Sequence, residues 1–533
     1  MDIYLTKREK KFRFAKPWIT ITYFCIPTIL IMVIQGLYDV VDKTLALQFA
    51  TGDLSTNGWY VNAYNALKGL TGIDKVTSIP INDMRTFINI GTQYGYQVYN
   101  LQWAFSVMIG LGCALNFSMA YGRRDKIKMR QITGNGFALT SLFGLLVGVI
   151  MFCLIYPGFK AIFITVQMGN LYNPITQQIA WQYCYPMIVG APMMFLSYYV
   201  LSLLRSEGRS NLTIMMIVSS LAINIGSSIF FMTICHLGMV GSMLGTVVAW
   251  ICQVMIGLII IVKMQDSKTT FGIQDVIKID KSNLLAFMKL GFPNFLANGA
   301  LVFTSFISTI LIVQLPNQDY ENHVSILQQL MSSIAPWMIL IVSVGAGITQ
   351  GARSIIAYNY GAKKYNRIWQ ILKRTSTLLI IWFSLMLIVF ISFGKEMMEM
   401  FAFPANYSTK YQWWLVLNFM SYPFCAVTYI CLTLFQGTNK SLLATISNSL
   451  RTIVVALPCI GIGFVISMAT GNAIYYYGFI GLTDLFSAAI LIPILVYKWK
   501  KHRNNLIDVT DNLQEQQFVE PMVTTHEVLM VSK

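Results

Sequence analysis

The sequence predicts an all-α membrane protein that crosses the bilayer many times, and three features of its composition predict this class. Of the 533 residues, 56% are hydrophobic and only 11% are charged, and the mean hydropathy is +0.60. Soluble domains usually carry about 25% charged residues. The apolar residues form long blocks, such as 133–156 and 239–263, which match the roughly 20 residues that a helix needs to cross a bilayer. A soluble enzyme is therefore excluded.

Hydropathy along the chain predicts twelve transmembrane spans. We expect each span to be a helix, because a helix satisfies all of its backbone hydrogen bonds within one segment. The predicted spans are 18–40, 97–121, 133–156, 180–204, 212–235, 239–263, 290–314, 325–352, 372–394, 412–436, 442–468 and 474–497. The predicted domains are an N-terminal lobe of six helices at 1–263 with a long outer loop at 51–95, an inter-lobe linker at 264–289, a C-terminal lobe of six helices at 290–498 and a polar tail at 499–533.

The basic residues predict the orientation of the spans. With the N-terminus inside, 31 of the 38 Lys and Arg residues fall in inner segments and 7 in outer segments. Because cytoplasmic loops carry the excess of Lys and Arg, both termini, the linker and the tail are predicted to be cytoplasmic, in a protein of the plasma membrane. The net charge of +16 is then a signal of topology, and no nucleic-acid partner is expected.

An internal repeat relates the two halves of the chain. A shift of 239 residues places Tyr121 over Tyr360, and a shift of 231 residues places Pro192 over Pro423. The matches keep their order and fall at equivalent spans. Since each half contains an even number of spans, the repeat is parallel. Two such lobes around a central cavity are typical of proteins that open alternately to the two sides of a membrane.

Two acids near the end of the first span are candidate functional residues. Asp39 and Asp42 are three residues apart, so they share one face of a helix. An acid inside a membrane span is costly and is a functional candidate by default, and two neighbouring acids titrate as a coupled pair. The alternative is that both acids are solvated at the outer helix end, beside Lys43.

Other polar residues of the spans are candidates for the cavity wall. Gln35 in the first span and Asn298 in the seventh either line the cavity or join helices by hydrogen bonds. Asp484 is the one acid inside the spans of the C-terminal lobe, and it either lines the cavity or packs at a helix end. Arg451 lies near the predicted inner end of span 11, where snorkelling to the membrane surface explains it.

Two stretches after the eighth span carry a family resemblance. Residues 347–352 are rich in glycine, and the run Tyr358-Asn359-Tyr360-Gly361-Ala362-Lys363-Lys364 follows them. Together with smaller matches in spans 1, 5, 6 and 11, these residues resemble the multidrug and toxic compound extrusion (MATE) transporters. The most similar branch is the bacterial one that includes the DNA-damage-inducible F proteins. The resemblance covers about residues 18–498.

This resemblance implies a secondary antiporter that exports drugs or other amphiphilic, often cationic, compounds in exchange for H⁺ or Na⁺. In prokaryotic members an acid of the first helix takes the coupling ion, and the matching residue here is Asp42. The family's partner positions match Tyr183, Asn224, Ser228 and Thr246, and Ser228 stands where many relatives have an aspartate. Since span 7 has no carboxylate, H⁺ is the expected coupling ion, with Na⁺ as the alternative. The expected partners are the lipid bilayer and a small amphiphilic substrate, and a monomer is expected.

Two other classes of function are alternatives to an exporter. A flippase for lipid-linked precursors shares the fold of the wider superfamily, but such flippases tend to carry basic residues in the central cavity, and Lys and Arg are nearly absent from the middles of the predicted spans. A membrane enzyme or receptor is the third class. Nine cysteines and four histidines form no CxxC pair or Cys/His cluster, and there is no nucleotide-binding loop. We therefore expect no enzyme activity, no cofactor and no metal site.

Overall fold

The computed structural model is almost entirely helical. It describes residues 17–122, 125–154, 173–206, 209–263, 271–278, 280–316, 319–321, 324–361, 365–438 and 440–497. The basic N-terminal segment and the predicted tail at 499–533 lie outside these residues, as does the first part of the predicted linker. Two short strands, β1 (Tyr320–Glu321) and β2 (Val324–Ser325), form an antiparallel pair.

Among the described residues, the first half of the chain has nine helices. They are α1 (Pro17–Leu45), α2 (Thr51–Thr56), α3 (Gly58–Leu67), α4 (Ile81–Gly122), α5 (Lys126–Leu154), α6 (Pro174–Val189), α7 (Ala191–Ser206), α8 (Ser210–Ile229) and α9 (Gly238–Lys263). A π-helical turn at Ala46–Ala50 joins α1 to α2, and a second one at Phe230–Ile234 extends α8.

The part of the second half that the structure describes continues with ten helices. They are α10 (Ile273–Ile277), α11 (Lys281–Val313), α12 (Ile326–Gly361), α13 (Tyr365–Glu399), α14 (Ala405–Phe419), α15 (Tyr422–Gly437), α16 (Ser441–Ser449), α17 (Ala456–Thr470), α18 (Ile474–Gly481) and α19 at 483–497. A π-helical segment at Leu450–Val455 joins α16 to α17. We call the end of the bundle that holds residues 51–80 the cap end, and the end that holds α10 the linker end.

Within the described residues, nine helices are long and apolar enough to cross a membrane, and ten if α6 and α7 count as one bent span. The bend between α6 and α7 is 61° and falls at Gly190, four residues after Pro186, where a sharp bend is expected. The helices α4 and α11 are also long enough, with 42 and 33 residues, and Asn298–Val313 of α11 is an apolar stretch. The structure is therefore consistent with the predicted twelve spans.

The segment 51–95, which the sequence predicts to be an outer loop, is mostly helical. Residues 51–67 form α2 and α3, and α4 begins at Ile81, directly after Pro80. Proline is favoured at a helix start because its missing N–H needs no partner there. Asn57 caps α3, since its Oδ1 accepts a hydrogen bond of 3.1 Å from the backbone N–H of Trp59. These polar helices lack the apolar run that hydropathy detects, so the sequence pattern missed them.

The two halves pack together along two helix pairs. Helix α1 packs along α12, and α4 packs along α11. At the linker end both contacts depend on glycine, because the backbones approach closely. A Cβ added to Gly291 would lie 1.7 Å from the carbonyl oxygen of Met108, and one added to Gly347 would lie 2.6 Å from the Cα of Ile29. Each half also has buried apolar clusters of its own.

Candidate functional site

Asp42 is buried in the N-terminal half, on α1 where it meets α9. Its side chain is 7% exposed. Its Oδ2 accepts a hydrogen bond of 3.1 Å from Oγ1 of Thr246. Oγ1 of Thr246 in turn accepts a hydrogen bond of 2.9 Å from Nδ2 of Asn224. Within the described part of the chain, Oδ1 of Asp42 has no hydrogen-bond partner, and Asp42 forms no ion pair there. The site is a buried carboxyl group with one free oxygen.

The other predicted partners of Asp42 lie on neighbouring helices but have different contacts. Oγ of Ser228 donates a hydrogen bond of 3.1 Å to the carbonyl of Ser242 on α9, so it ties α8 to α9. Tyr183 is buried on α6, with its ring against Gly95 of α4, where an added Cβ would lie 2.6 Å from Cδ1 of the ring. Asp39 belongs to α1, but its side chain lies outside the described part of the structure.

Lys43 is buried in the bundle and is not solvated at the end of α1. It is buried, with 8% exposure, and its ammonium group donates a hydrogen bond to the backbone carbonyl of Ser332 on α12. The same group lies 5.3 Å from the ring centroid of Phe401, which is within the range of a cation–π contact. Lys43 therefore joins α1 to the second half of the molecule.

A cavity of about 470 Å³ lies between α4 and the helices of the second half. Its walls come from α4, α11, α12, α14, α15, the π-helical segment, α17, α18 and α19. The lining includes many amide and hydroxyl side chains, among them Gln93, Gln97, Asn100, Asn298, Ser305, Gln328 and Asn418. Helices α4 and α11 therefore each turn a polar face toward the cavity.

The two charged residues of the cavity wall, Arg451 and Asp484, form an ion pair. Nε of Arg451 donates to Oδ1 of Asp484, and Nη2 donates to Oδ2 over 3.3 Å. The side chains are 20% and 8% exposed. The prediction that Arg451 snorkels to the membrane surface is therefore wrong, since its head group lies inside the bundle. The sequence did hold a signal, because opposite charges in consecutive spans are expected to pair.

Some of the residues predicted to line the cavity do so, and one does not. Asn298 and Asp484 belong to the cavity wall. Gln35 lies half-buried on α1 and is not among the residues that line this cavity. The lining residues that the sequence analysis missed include the amides Gln93 and Gln97 of α4, which fell in or near the predicted outer loop.

Aromatic side chains connect the cavity to the first half of the molecule. Tyr96 and Trp103 line the cavity, and Tyr99 lies between them. The ring centroids of Tyr96 and Tyr99 are 5.3 Å apart, and those of Tyr99 and Trp103 are 6.4 Å apart, in both cases stacked. Tyr99 also stacks on Trp250 of α9 at 6.4 Å. Aromatic faces of this kind suit a flat apolar ligand.

These features define a multi-pass helical membrane protein with a cavity between two packed halves, and solved structures show the same fold. A crystal structure of "MATE in complex with MaL6" matches with a TM-score of 0.69 at 14% identity, over 95% of this chain and 100% of that chain. An outward-facing "multidrug resistance MATE family transporter of the MOP superfamily" matches with a TM-score of 0.68 at 15% identity, over 94% and 99% of the two chains. The chain therefore has the MATE fold.

Sequence comparisons agree with the fold. The MatE family model matches residues 293–461. Protein MG447 of Mycoplasma genitalium is 24% identical over 487 residues, which cover 85% of this chain and 86% of that protein. The multidrug export protein MepA of Staphylococcus saprophyticus is 22% identical over 65% of this chain and 73% of its own length. The probable multidrug resistance protein YoeA of Bacillus subtilis is 22% identical over 57% and 64%. These matches show that the chain is similar to proteins of the MATE family and to proteins named for multidrug resistance or export.

Proposed function

We propose that this protein is an antiporter that exports drugs or other amphiphilic compounds in exchange for H⁺, by alternating access between its two lobes. The observation that carries this proposal is the buried carboxyl group of Asp42, with one hydrogen-bonded and one free oxygen. The MATE fold and the two relatives named as multidrug proteins support the export of small molecules.

Asp42 is placed to link protonation to the packing of the lobes. As a carboxylate it accepts the hydrogen bond of Thr246, whereas the neutral acid is also a donor. Gain or loss of a proton by Asp42 therefore changes the contact of α1 with α9 inside the first lobe. The same helix packs along α12 of the second lobe. If the two protonation states favour different positions of α1, a proton gradient shifts the population between the two orientations of the cavity.

The second lobe supports H⁺ rather than Na⁺ as the coupling ion. Sodium sites are built from several oxygen ligands, usually including carboxylates. Asp484 is the carboxylate in the wall of the described cavity, and both of its oxygens accept hydrogen bonds from Arg451. A bound cation there would have to displace the guanidinium.

The same proposal includes three further points. The protein lies in the plasma membrane with both termini in the cytoplasm, it is a monomer, and it belongs to the DNA-damage-inducible F branch.

Uptake of two rhodamine dyes into proteoliposomes tests the coupling. We expect an imposed pH gradient to drive uptake of at least one of rhodamine 110 and rhodamine 123, and a Na⁺ gradient at clamped pH to drive neither. Asp42→Asn keeps the size of the side chain but cannot exchange a proton, so it should abolish gradient-driven uptake. Asp74→Asn, at an exposed position of the cap end, is the matched control and should transport normally. Uptake driven by Na⁺ alone, or a normal rate in Asp42→Asn, would overturn the proposal.

A flippase for lipid-linked precursors is the second candidate, and one observation favours it. Lys and Arg are nearly absent from the middles of the predicted spans, but Arg451 lines the cavity. The cavity volume of about 470 Å³, however, is within the usual range for a drug-sized ligand. Vesicles that contain a fluorescent lipid diphosphate distinguish the two, since a flippase exposes that lipid to a membrane-impermeant quencher and an exporter does not.

A further inference from the structure

The ion pair of Arg451 and Asp484 lies where two helices of the second lobe depart from regular geometry. Arg451 belongs to the π-helical segment Leu450–Val455, and Asp484 belongs to the first turn of α19, after a break at Leu482. Segments of π-helix often mark functional sites, and transporters build binding sites at interrupted helices. The pair is therefore held by two irregular segments that both face the cavity.

The pair offers the cavity free donors but no free carboxylate oxygen. Asp484 is 8% exposed, and each of its oxygens already accepts a hydrogen bond from Arg451. A guanidinium has five N–H donors, and this contact uses two of them. The Arg451 side chain is 20% exposed, so its remaining N–H groups are the charged surface that a ligand meets.

Among the described residues of the wall, Arg451 and its partner Asp484 are charged and the others are neutral. Amide groups such as those of Asn100 and Asn418 supply further hydrogen bonds, and Trp103 and Phe419 supply aromatic faces. An ammonium group in this cavity would meet the guanidinium before the covered carboxylate. A carboxylate would instead accept charge-assisted hydrogen bonds, which are about twice as strong as neutral ones.

We infer that Arg451 is the specificity residue of the cavity and that it selects aromatic compounds that carry a carboxylate, either zwitterionic or anionic, over permanent cations of the same shape. The inference rests on the proposed export function, and it replaces the expected preference for cations. The carboxylate binds the free N–H groups of Arg451 while the Arg451–Asp484 contact stays intact, and the aromatic skeleton lies against the rings of the wall.

Rhodamine 110 and rhodamine 123 test this inference because they share one aromatic skeleton and differ in one group. Rhodamine 110 carries a free carboxylate, and in rhodamine 123 this group is a methyl ester, which leaves a cation. Fluorescence anisotropy with the purified full-length protein measures both dissociation constants. We expect rhodamine 110 to bind about ten- to a hundredfold more tightly, as a hydrogen bond to a charged group predicts.

Two variants assign the preference to the ion pair. The double variant Arg451→Gln/Asp484→Asn removes both charges without leaving a buried charge unpaired, and it should bind the two dyes equally. Asp484→Asn alone releases the guanidinium and should bind rhodamine 110 more tightly than the unmodified protein does. Arg205→Gln is the matched control, since Arg205 lies in the last turn of α7, away from the cavity lining, and it should keep the original preference.

Equal binding of the two dyes by the unmodified protein, tighter binding of rhodamine 123, or absence of rhodamine 110 binding would overturn the inference. A double variant that keeps the preference would also overturn it. If the double variant does not elute as a single species, Asp484→Asn decides: tighter binding of rhodamine 110 supports the inference, and unchanged or weaker binding contradicts it. These measurements need no gradient, so selective binding without gradient-driven uptake would refute the export function alone.

Discussion

Asp42 and Lys43 are consecutive residues of α1, yet their side chains bind opposite halves of the molecule. Oδ2 of Asp42 accepts the hydrogen bond of Thr246 on α9, whereas the ammonium group of Lys43 donates to the carbonyl of Ser332 on α12. The first contact lies inside the N-terminal half, and the second crosses to the other half. One turn of α1 therefore joins the candidate coupling site to the contact between the lobes, which is the link that alternating access requires.

The hydroxyl group of Thr246 positions the carboxyl group of Asp42, so its removal should reduce transport. Thr246→Val keeps the shape but leaves both Asp42 and Asn224 without this partner, which costs about 1–3 kcal/mol. We expect gradient-driven dye uptake to fall by roughly tenfold or more. Thr246→Ser keeps the hydroxyl and is the control. Equal rates for the valine and serine variants would show that the hydroxyl does not serve the coupling site.

Lys43→Met should loosen the cap-end contact between the lobes without unfolding the protein. Methionine replaces the ammonium group by an apolar end of similar size, and it removes both the bond to Ser332 and the contact with Phe401. A disulfide placed beside Lys43 reports whether the lobes are in contact at this end. The positions are Asn89 and Ser333, where Nδ2 of Asn89 donates a hydrogen bond of 2.9 Å to Oγ of Ser333. We expect the disulfide yield of an Asn89→Cys/Ser333→Cys pair to fall in the Lys43→Met background.

Lys75→Met is the control for this cross-linking, because Lys75 is exposed at the cap end, and it should leave the disulfide yield unchanged. An unchanged yield in Lys43→Met, with the protein still monodisperse, would show that the ammonium group does not hold the lobes together at this end.

Sequence patterns predicted the fold class because lipid imposes a simple rule on a spanning helix, namely length and apolarity. They failed for the first fifteen residues of α4, which they assign to a loop, because residues 81–95 contain no long apolar run. The partners of Asp42 came from family resemblance, since 204 residues separate Asp42 from Thr246. The Arg451–Asp484 pair was missed because periodicity cannot describe a π-helical segment, which changes the direction of the side chains after it.

Labelling from outside the cell tests the predicted orientation. In a background with Cys153→Ser and Cys235→Ser, which removes the two exposed cysteines of the described residues, Lys75→Cys should react with a membrane-impermeant maleimide. Lys278→Cys, at the linker end, should react only after the membrane is permeabilised. The expectation follows from the excess of Lys and Arg in the linker-end segments. The reverse pattern would invert the orientation and with it the direction of transport.

The ion pair between Asp319 and Lys410 should make stability depend on pH. Oδ2 of Asp319 accepts hydrogen bonds of 3.0 Å from Lys410 and from Tyr411, and the bond from Lys410 in particular lowers the pKa of the Asp319 carboxyl below its usual range. A lowered pKa adds stability that is complete above the ordinary Asp pKa of about 4 and is lost as the pH falls through the folded-state pKa.

Asp319→Asn should therefore lower the thermal midpoint of the purified protein at pH 7, and the difference should shrink as the pH is taken below about 4. The carboxylate is partly exposed, so the effect is modest, in the range of about 0.2–1 kcal/mol for a surface pair. Asp74→Asn is the control at another exposed position. A difference that grows on acidification would contradict the assigned role of the ion pair.

The close approach of α4 and α11 at the linker end makes Gly291 the position at which a methyl group is least tolerated. A Cβ there would lie 1.7 Å from the carbonyl oxygen of Met108, whereas a Cβ at Gly299, two turns further along α11, has no heavy atom within 4 Å. Both are glycines inside one helix, so alanine gains about 1 kcal/mol of helix propensity at either position. At Gly291, but not at Gly299, a steric clash opposes that gain.

We expect Gly291→Ala to force α4 and α11 apart, which lowers the thermal midpoint and opens the linker end. We expect Gly299→Ala to be neutral or slightly stabilising. Thermal unfolding measures the first effect, and maleimide labelling of a Met108→Cys reporter measures the second. If Gly291→Ala unfolds and labels like Gly299→Ala, the two helices do not pack at the distance that the structure shows.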